Sequence, residues 1–105
     1  MIINSQPDML MVAQASDGRE AIRNFREHQP DVTLMDLRLP DMTGIDAMTA
    51  IRTEFPEARI IILTTFESDS ESARAMAKGA CAYMLKSTHP KELLRTIRQA
   101  HAGVL

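Results

Sequence analysis

At 105 residues the chain suits one small domain, and with 45% hydrophobic and 25% charged residues it can build a core, which argues against disorder. The net charge of −2 carries neither a basic nucleic-acid footprint nor an acidic tail. The lone Cys81 allows no internal disulfide or cysteine-type metal site, and no apolar run reaches membrane-spanning length. The opening Met1-Ile2-Ile3-Asn4 turns polar too soon for a signal peptide, so a cytoplasmic protein is expected.

In chain order, Met9-Leu10-Met11-Val12-Ala13 reads as a strand. Asp17 then caps a helix, with Glu20 three places on at capping-box spacing and Ala21, Ile22 and Phe25 as its apolar stripe. Pro30 blocks further helix, and Val32–Met35 is the next strand. Pro40 and Gly44 bracket a loop; a second helix follows with Ile45, Met48, Ile51 and Phe55 inward, ended by Pro56. Arg59–Thr64 is the clearest strand, β-branched and nearly all apolar, as expected for burial on both faces of a parallel sheet. A third helix is expected over about Ser70–Lys78, with Gly79 past its end. Ala82–Leu85 is the last strand, and Ser87 or Thr88 is expected to cap a final helix that has Pro90 in its first turn and Leu93, Leu94 and Ile97 inward. The β-α-β-α-β-α-β-α order predicts an α/β fold with a parallel sheet, without repeats or linkers.

In open α/β sheets the chemistry sits at the carboxyl ends of the strands. Asp36, Thr64 and Lys86 follow three successive strands, so a carboxylate, a hydroxyl and an ammonium would converge on one rim. A carboxylate oxygen can attack a phosphoryl group, and a cation and a hydroxyl can hold the oxygens it brings. Each residue alone has an ordinary explanation: aspartate is common at strand exits, threonine favours strands, and lysine snorkels from them. The force lies in three complementary groups at three strand ends.

Leu34-Met35-Asp36-Leu37-Arg38-Leu39-Pro40-Asp41-Met42-Thr43-Gly44 resembles the response-regulator receiver signature around the phosphoacceptor. Ile62–Phe66 resembles the family's strand with the switch hydroxyl, and Gly79–Lys86 its strand with the switch aromatic and the lysine. The details are most similar to receivers of the NarL/FixJ type, which normally precede a helix-turn-helix DNA-binding domain. The resemblance implies a flavodoxin-like parallel sheet with helices on both faces and a two-component signalling role. Asp36 would take a phosphoryl group from a histidine kinase, Thr64 and Lys86 would hold it, and Tyr83 would move with Thr64 as the readout. Asp36 and the Arg38 carbonyl would contribute to a Mg²⁺ site, and Pro40 and Gly44 would shape the loop.

Two departures stand out. The family's first strand, the acidic pair after it and most of its first helix have no counterpart, so residues 1–105 read as an N-terminally truncated receiver domain. Asp8 and Asp17 are expected at the opposite end of the sheet, unable to replace the acidic pair, so Mg²⁺ binding is expected to be weak. The chain also ends at Leu105 with no effector domain, so no direct nucleic-acid or membrane binding is expected. Lys86-Ser87 replaces the commoner Lys-Pro, and a trans bond is expected there. Because the absent strand would be interior in the 2-1-3-4-5 order, Met9–Ala13 would lie about one strand spacing, roughly 5 Å, too far from Val32–Met35 for hydrogen bonding. Closure against that strand or a strand-mediated homodimer is the favoured outcome, with low stability; a loose N-terminal third is the remaining one.

A degenerate, unphosphorylated receiver serving as an interaction module, or a non-functional fragment, is the alternative function. A haloacid-dehalogenase-type phosphatase also uses a strand-end aspartate, but it wants an acid two residues on; Arg38 stands there, so no enzyme is expected. His28, His89 and His101 are read as surface or cap residues, Cys81 as a small buried residue, the methionines mostly as core, and Arg95 and Arg98 as a solvated face, with a partner surface as the alternative.

Overall fold

The computed structural model describes residues 2–105. A 3-10 turn, Ile2–Ser5, leads through a bend into chain without regular structure up to Ala15. Four helices and three strands then alternate: α1 (Gly18–His28), β1 (Thr33–Asp36), α2 (Gly44–Glu54), β2 (Ile60–Thr64), α3 (Asp69–Ala77), β3 (Ala82–Leu85) and α4 (Pro90–Ala102).

Each helix begins where a side chain satisfies its free N–H groups. Asp17 accepts from the Glu20 amide at 2.8 Å, and the Glu20 carboxylate reaches back to the Ser16 amide at 3.2 Å. Thr43 caps α2 and Ser68 caps α3, each through the amide three residues on. At α4 the cap is His89, whose Nδ1 accepts from the Lys91 amide at 3.1 Å, rather than Ser87 or Thr88. Pro90 takes the first helical position, where its missing N–H costs nothing and its ring disfavours helical backbone before it. Gly79 and Gly103 follow α3 and α4 with φ of 106° and 76°, the left-handed backbone that glycine adopts freely.

The strands pair in parallel in the order β1-β2-β3. Met35 lies opposite Ile62, and Ile62 opposite Tyr83. β2 is central, and Ile60, Ile61 and Ile62 are all fully buried, as the continuous apolar run predicts. Each contributes roughly 1.5–3 kcal/mol by leaving water. Helices α1 and α2, with Ala75 of α3, cover the face that carries Met35, Ile60, Ile62 and Tyr83. Ile97 and Ala100 of α4, with Ile3 and Met9, cover the face that carries Leu34, Ile61, Leu63 and Met84. Cys81 is half-buried against this second cluster, less enclosed than its residue type suggests. Ile45, Met48 and Ile51 of α2 are buried, and Phe55 packs on Phe25 with ring centroids 5.1 Å apart. All peptide bonds of the described residues are trans, Lys86–Ser87 included. None of the described helices is long and apolar enough to cross a membrane.

Met9–Ala13 corrects the sequence reading: it forms no strand and makes no ladder with β1. Thr33 and Leu37 donate toward β2, to Arg59 and Leu63 carbonyls at 2.9 and 2.7 Å. Alternation along the strand therefore turns the backbone groups of Val32, Leu34 and Asp36 to the other edge. That edge faces a groove of about 930 Å³, with residues 8–15 among its lining. The segment is pinned away from β1 at three places. Arg98 holds Asp8 at 2.9 and 3.1 Å, Asn4 accepts from the Met11 amide at 3.2 Å, and Asn24 donates to the Gln14 carbonyl at 2.9 Å. Leu10 stays 78% exposed as a result. Closure against Val32–Met35, one of the two favoured outcomes, is thus not adopted in the single chain.

Candidate functional site at the strand ends

Parallel register brings the three predicted residues to one rim. Asp36 lies opposite Leu63, one residue before Thr64, and Thr64 lies opposite Leu85, one residue before Lys86. The Lys86 Nζ stands 3.0 Å from the Asp36 Oδ2, and both side chains are over 40% exposed. An ion pair so exposed contributes at most about 1 kcal/mol to stability. Its interest is chemical: an ammonium already rests on the carboxylate, and the pair opens to solvent. Thr64 is the only buried polar residue of the described core, 4% exposed. Its hydroxyl donates to the Phe66 carbonyl at 3.1 Å and accepts from the Phe66 amide at 3.3 Å, a local turn that holds the loop after β2.

Tyr83 and Thr64 share a sheet face, since Tyr83 pairs with Ile62, two residues before Thr64. The Tyr83 ring packs against the larger core cluster, and its hydroxyl is buried without a hydrogen-bond partner among the described residues.

The loop between β1 and α2 is closed at its base and along its sides. The Gly44 amide donates to the Leu37 carbonyl at 2.6 Å, Arg38 and Thr43 form an antiparallel bridge, and the Leu39 amide donates to the Met42 carbonyl at 3.1 Å. A side chain at Gly44 would collide with the Asp36 carbonyl, so glycine is required by close approach. The Arg38 side chain reaches Glu71 of α3 at 3.2 Å, in an exposed and screened pair.

Asp41, which lies within the receiver-like signature, holds the tip of this loop against α1. Its Oδ1 accepts from the Gly18 amide at 2.7 Å and its Oδ2 from the Arg19 amide at 3.1 Å. Those N–H bonds hold its carboxyl below the ordinary carboxylate value. Local sequence gave no signal for a contact that spans 23 positions. The same contact corrects the placement of Asp17, which immediately precedes Gly18 and so lies at the rim of Asp36 rather than at the opposite end. Its carboxylate is engaged by the Glu20 amide. Asp8 pairs with Arg98, which holds its carboxyl below the ordinary value and takes Arg98 out of the purely solvated face expected for it. Among the described residues no group of three or more His, Cys, Asp or Glu side chains could hold a metal ion. A carboxylate oxygen donor such as that of Asp36 suits a hard cation such as Mg²⁺ in kind.

The family model of the response regulator receiver domain matches residues 1–98, and the chain belongs to this family. It is 42% identical over 99 residues to the uncharacterized transcriptional regulatory protein YhcZ of Bacillus subtilis (strain 168), covering 94% of this chain and 46% of that protein. It is 36% identical over 101 residues to the response regulator protein VraR of Staphylococcus aureus (strain NCTC 8325 / PS 47), covering 96% and 48%. The chain thus spans about half the length of these relatives. A crystal structure of a two-component response regulator of the LuxR family from Aurantimonas sp. SI85-9A1 superposes with a TM-score of 0.93 at 39% identity, covering 97% of this chain and 73% of that one. The flavodoxin-like, receiver-type α/β fold is therefore confirmed, and the chain is a receiver domain of the two-component signalling type. Receiver domains as a class are signalling modules that bind Mg²⁺ and work with histidine kinases.

Proposed function

We propose that the chain is a phosphoacceptor receiver in which Asp36 takes a phosphoryl group from a histidine kinase in the cytoplasm, and that the whole protein passes this signal to a DNA-binding output. The carrying observation is the Lys86 ammonium 3.0 Å from the Asp36 carboxylate, at a rim shared with Thr64. An Asp36 oxygen attacks phosphorus as the bond from phosphorus to the kinase histidine nitrogen breaks, and the acyl phosphate forms. Lys86 follows the charge from the carboxylate to the new phosphoryl oxygens. The Thr64 hydroxyl leaves Phe66 to donate to one of those oxygens, which frees the loop after β2, and Tyr83, on the same sheet face as Thr64, moves with it. A bound Mg²⁺ would neutralise phosphoryl charge; Asp36 and the Arg38 carbonyl would be its protein donors, too few for tight binding. The role is signalling, not turnover of a substrate.

Mg²⁺-dependent labelling with acetyl phosphate tests this reading: label is expected on the wild type and none on Asp36→Asn. One observation favours a second reading, an unphosphorylated interaction module: the rim lacks a metal-holding acidic cluster among the described residues. A wild-type chain that stays unlabelled at saturating Mg²⁺ would select it.

A further inference from the structure

We infer that Asp41 is a positioning residue for phosphoryl transfer, a latch that sets the loop carrying Asp36 and Arg38 by fastening its tip to the N-terminus of α1. The inference rests on the phosphoacceptor reading of Asp36.

Two carboxylates serve the same helix start and differ in what they connect. Asp17 belongs to the α1 chain itself and satisfies Glu20, three residues on. Asp41 arrives from the β1–α2 loop and takes the two preceding amides, Gly18 and Arg19, one on each oxygen. The positive end of the helix dipole favours both. Only Asp41 turns that attraction into a constraint between two elements.

The loop is built to transmit the constraint. From tip to base it is tied by the Leu39–Met42 and Gly44–Leu37 hydrogen bonds and by the Arg38–Thr43 bridge. A shift at Asp41 therefore reaches the Arg38 carbonyl and the Asp36 main chain. Met42 fixes the same junction by packing: it lies so close to buried Gly18 that a Cβ there would collide with its side chain. Helix α1 is in turn seated on α2 by the Phe25–Phe55 rings and by Arg26 on Glu54 at 2.8 Å. The acceptor loop is thus held between a helix that follows it and a helix that precedes it.

The test compares Asp41→Ala with Asp17→Ala, since each deletes one carboxylate from the same helix start. Acetyl phosphate labelling is measured at matched folded fraction over a range of Mg²⁺ concentrations, with amide exchange read at Leu39 and Gly44. For Asp41→Ala, labelling is expected to slow by up to about a hundredfold, the scale that moving a reacting group by an ångström costs. Its Leu39 and Gly44 amides should exchange faster, and Asp41→Asn, which keeps one acceptor oxygen, should recover part of both. Asp17→Ala should label and exchange at the loop like the wild type. If the wild type labels at Asp36 and the two alanine variants behave alike, the latch is refuted while the phosphoacceptor reading stands. If the wild type takes no label, that reading fails and the positioning role falls with it.

Discussion

Two wholly apolar stretches of this chain, Met9–Ala13 and Ile60–Leu63, have opposite fates. Ile60, Ile61 and Ile62 are fully buried with a hydrogen-bonded strand on each side. Leu10 and Val12 are 78% and 43% exposed, in chain with no ladder. The difference teaches that an apolar run becomes a strand through its neighbours. β2 lies between β1 and β3, whereas the edge of β1 beyond β2 faces a groove whose far side is pinned to α4 and α1 through Asp8 and Gln14. Stability should therefore reside in the part of the chain from α1 onward, where the strands meet all four helices.

The sharpest way to break this comparison is to remove apolar bulk from each stretch. Ile61→Ala should cost about 2–5 kcal/mol in urea unfolding, the range for a buried large-to-small change. Leu10→Ala should stay within about 0.5 kcal/mol, as for an exposed site. Equal losses would show that the N-terminal stretch is part of the cooperative core. The next effect belongs to the loop. Gly44→Ala drives a methyl into the Asp36 carbonyl and should cost about 1–3 kcal/mol by overpacking, with slower labelling of Asp36. An unchanged melting temperature would mean that the loop yields freely.

Lys86→Ala sharpens the contrast between stability and chemistry. Its ion pair is exposed, so denaturation should change by less than about 1 kcal/mol. Labelling should fall roughly a hundredfold, as when one donor to a developing charge is removed. A large stability loss with normal labelling would reverse the assignment. The smallest effect concerns pH. Asp8 has a folded-state pKa below its ordinary 3.8, chiefly through its hydrogen bond to Arg98. Its contribution is therefore complete above that value and is lost as pH falls through the lower folded one. Below about pH 4 the N-terminal anchor should loosen first. Amide exchange should rise at Met11 while β2 stays protected, and simultaneous loss in both regions would contradict the two-part picture.

How much was legible follows the same physics. The caps at Asp17 and the bounds of β2 and β3 are local matters, written in side chains a few residues apart, and they were readable. The rim of Asp36, Thr64 and Lys86 was readable because parallel strands end at one level. The fate of Met9–Ala13 was not, since hydrophobicity reports a tendency to bury and does not name the partner. Asp17 was misplaced although connectivity locates it: α1 leads through a short connection into the amino end of β1, so its N-terminus lies at the carboxyl end of the sheet, beside the loop that carries Asp41. His89 displaced Ser87 and Thr88 as a cap because Pro90 fixes the helix start one residue after it.

The central claim is that three strand ends assemble a phosphoryl acceptor at Asp36. It is tested most directly by treating the chain with acetyl phosphate and Mg²⁺, reducing the acyl phosphate with borohydride and mapping the modified residue by mass spectrometry. The account predicts modification at Asp36 alone, absent in Asp36→Asn. Modification at another carboxylate, or undiminished yield in Asp36→Asn, would contradict it.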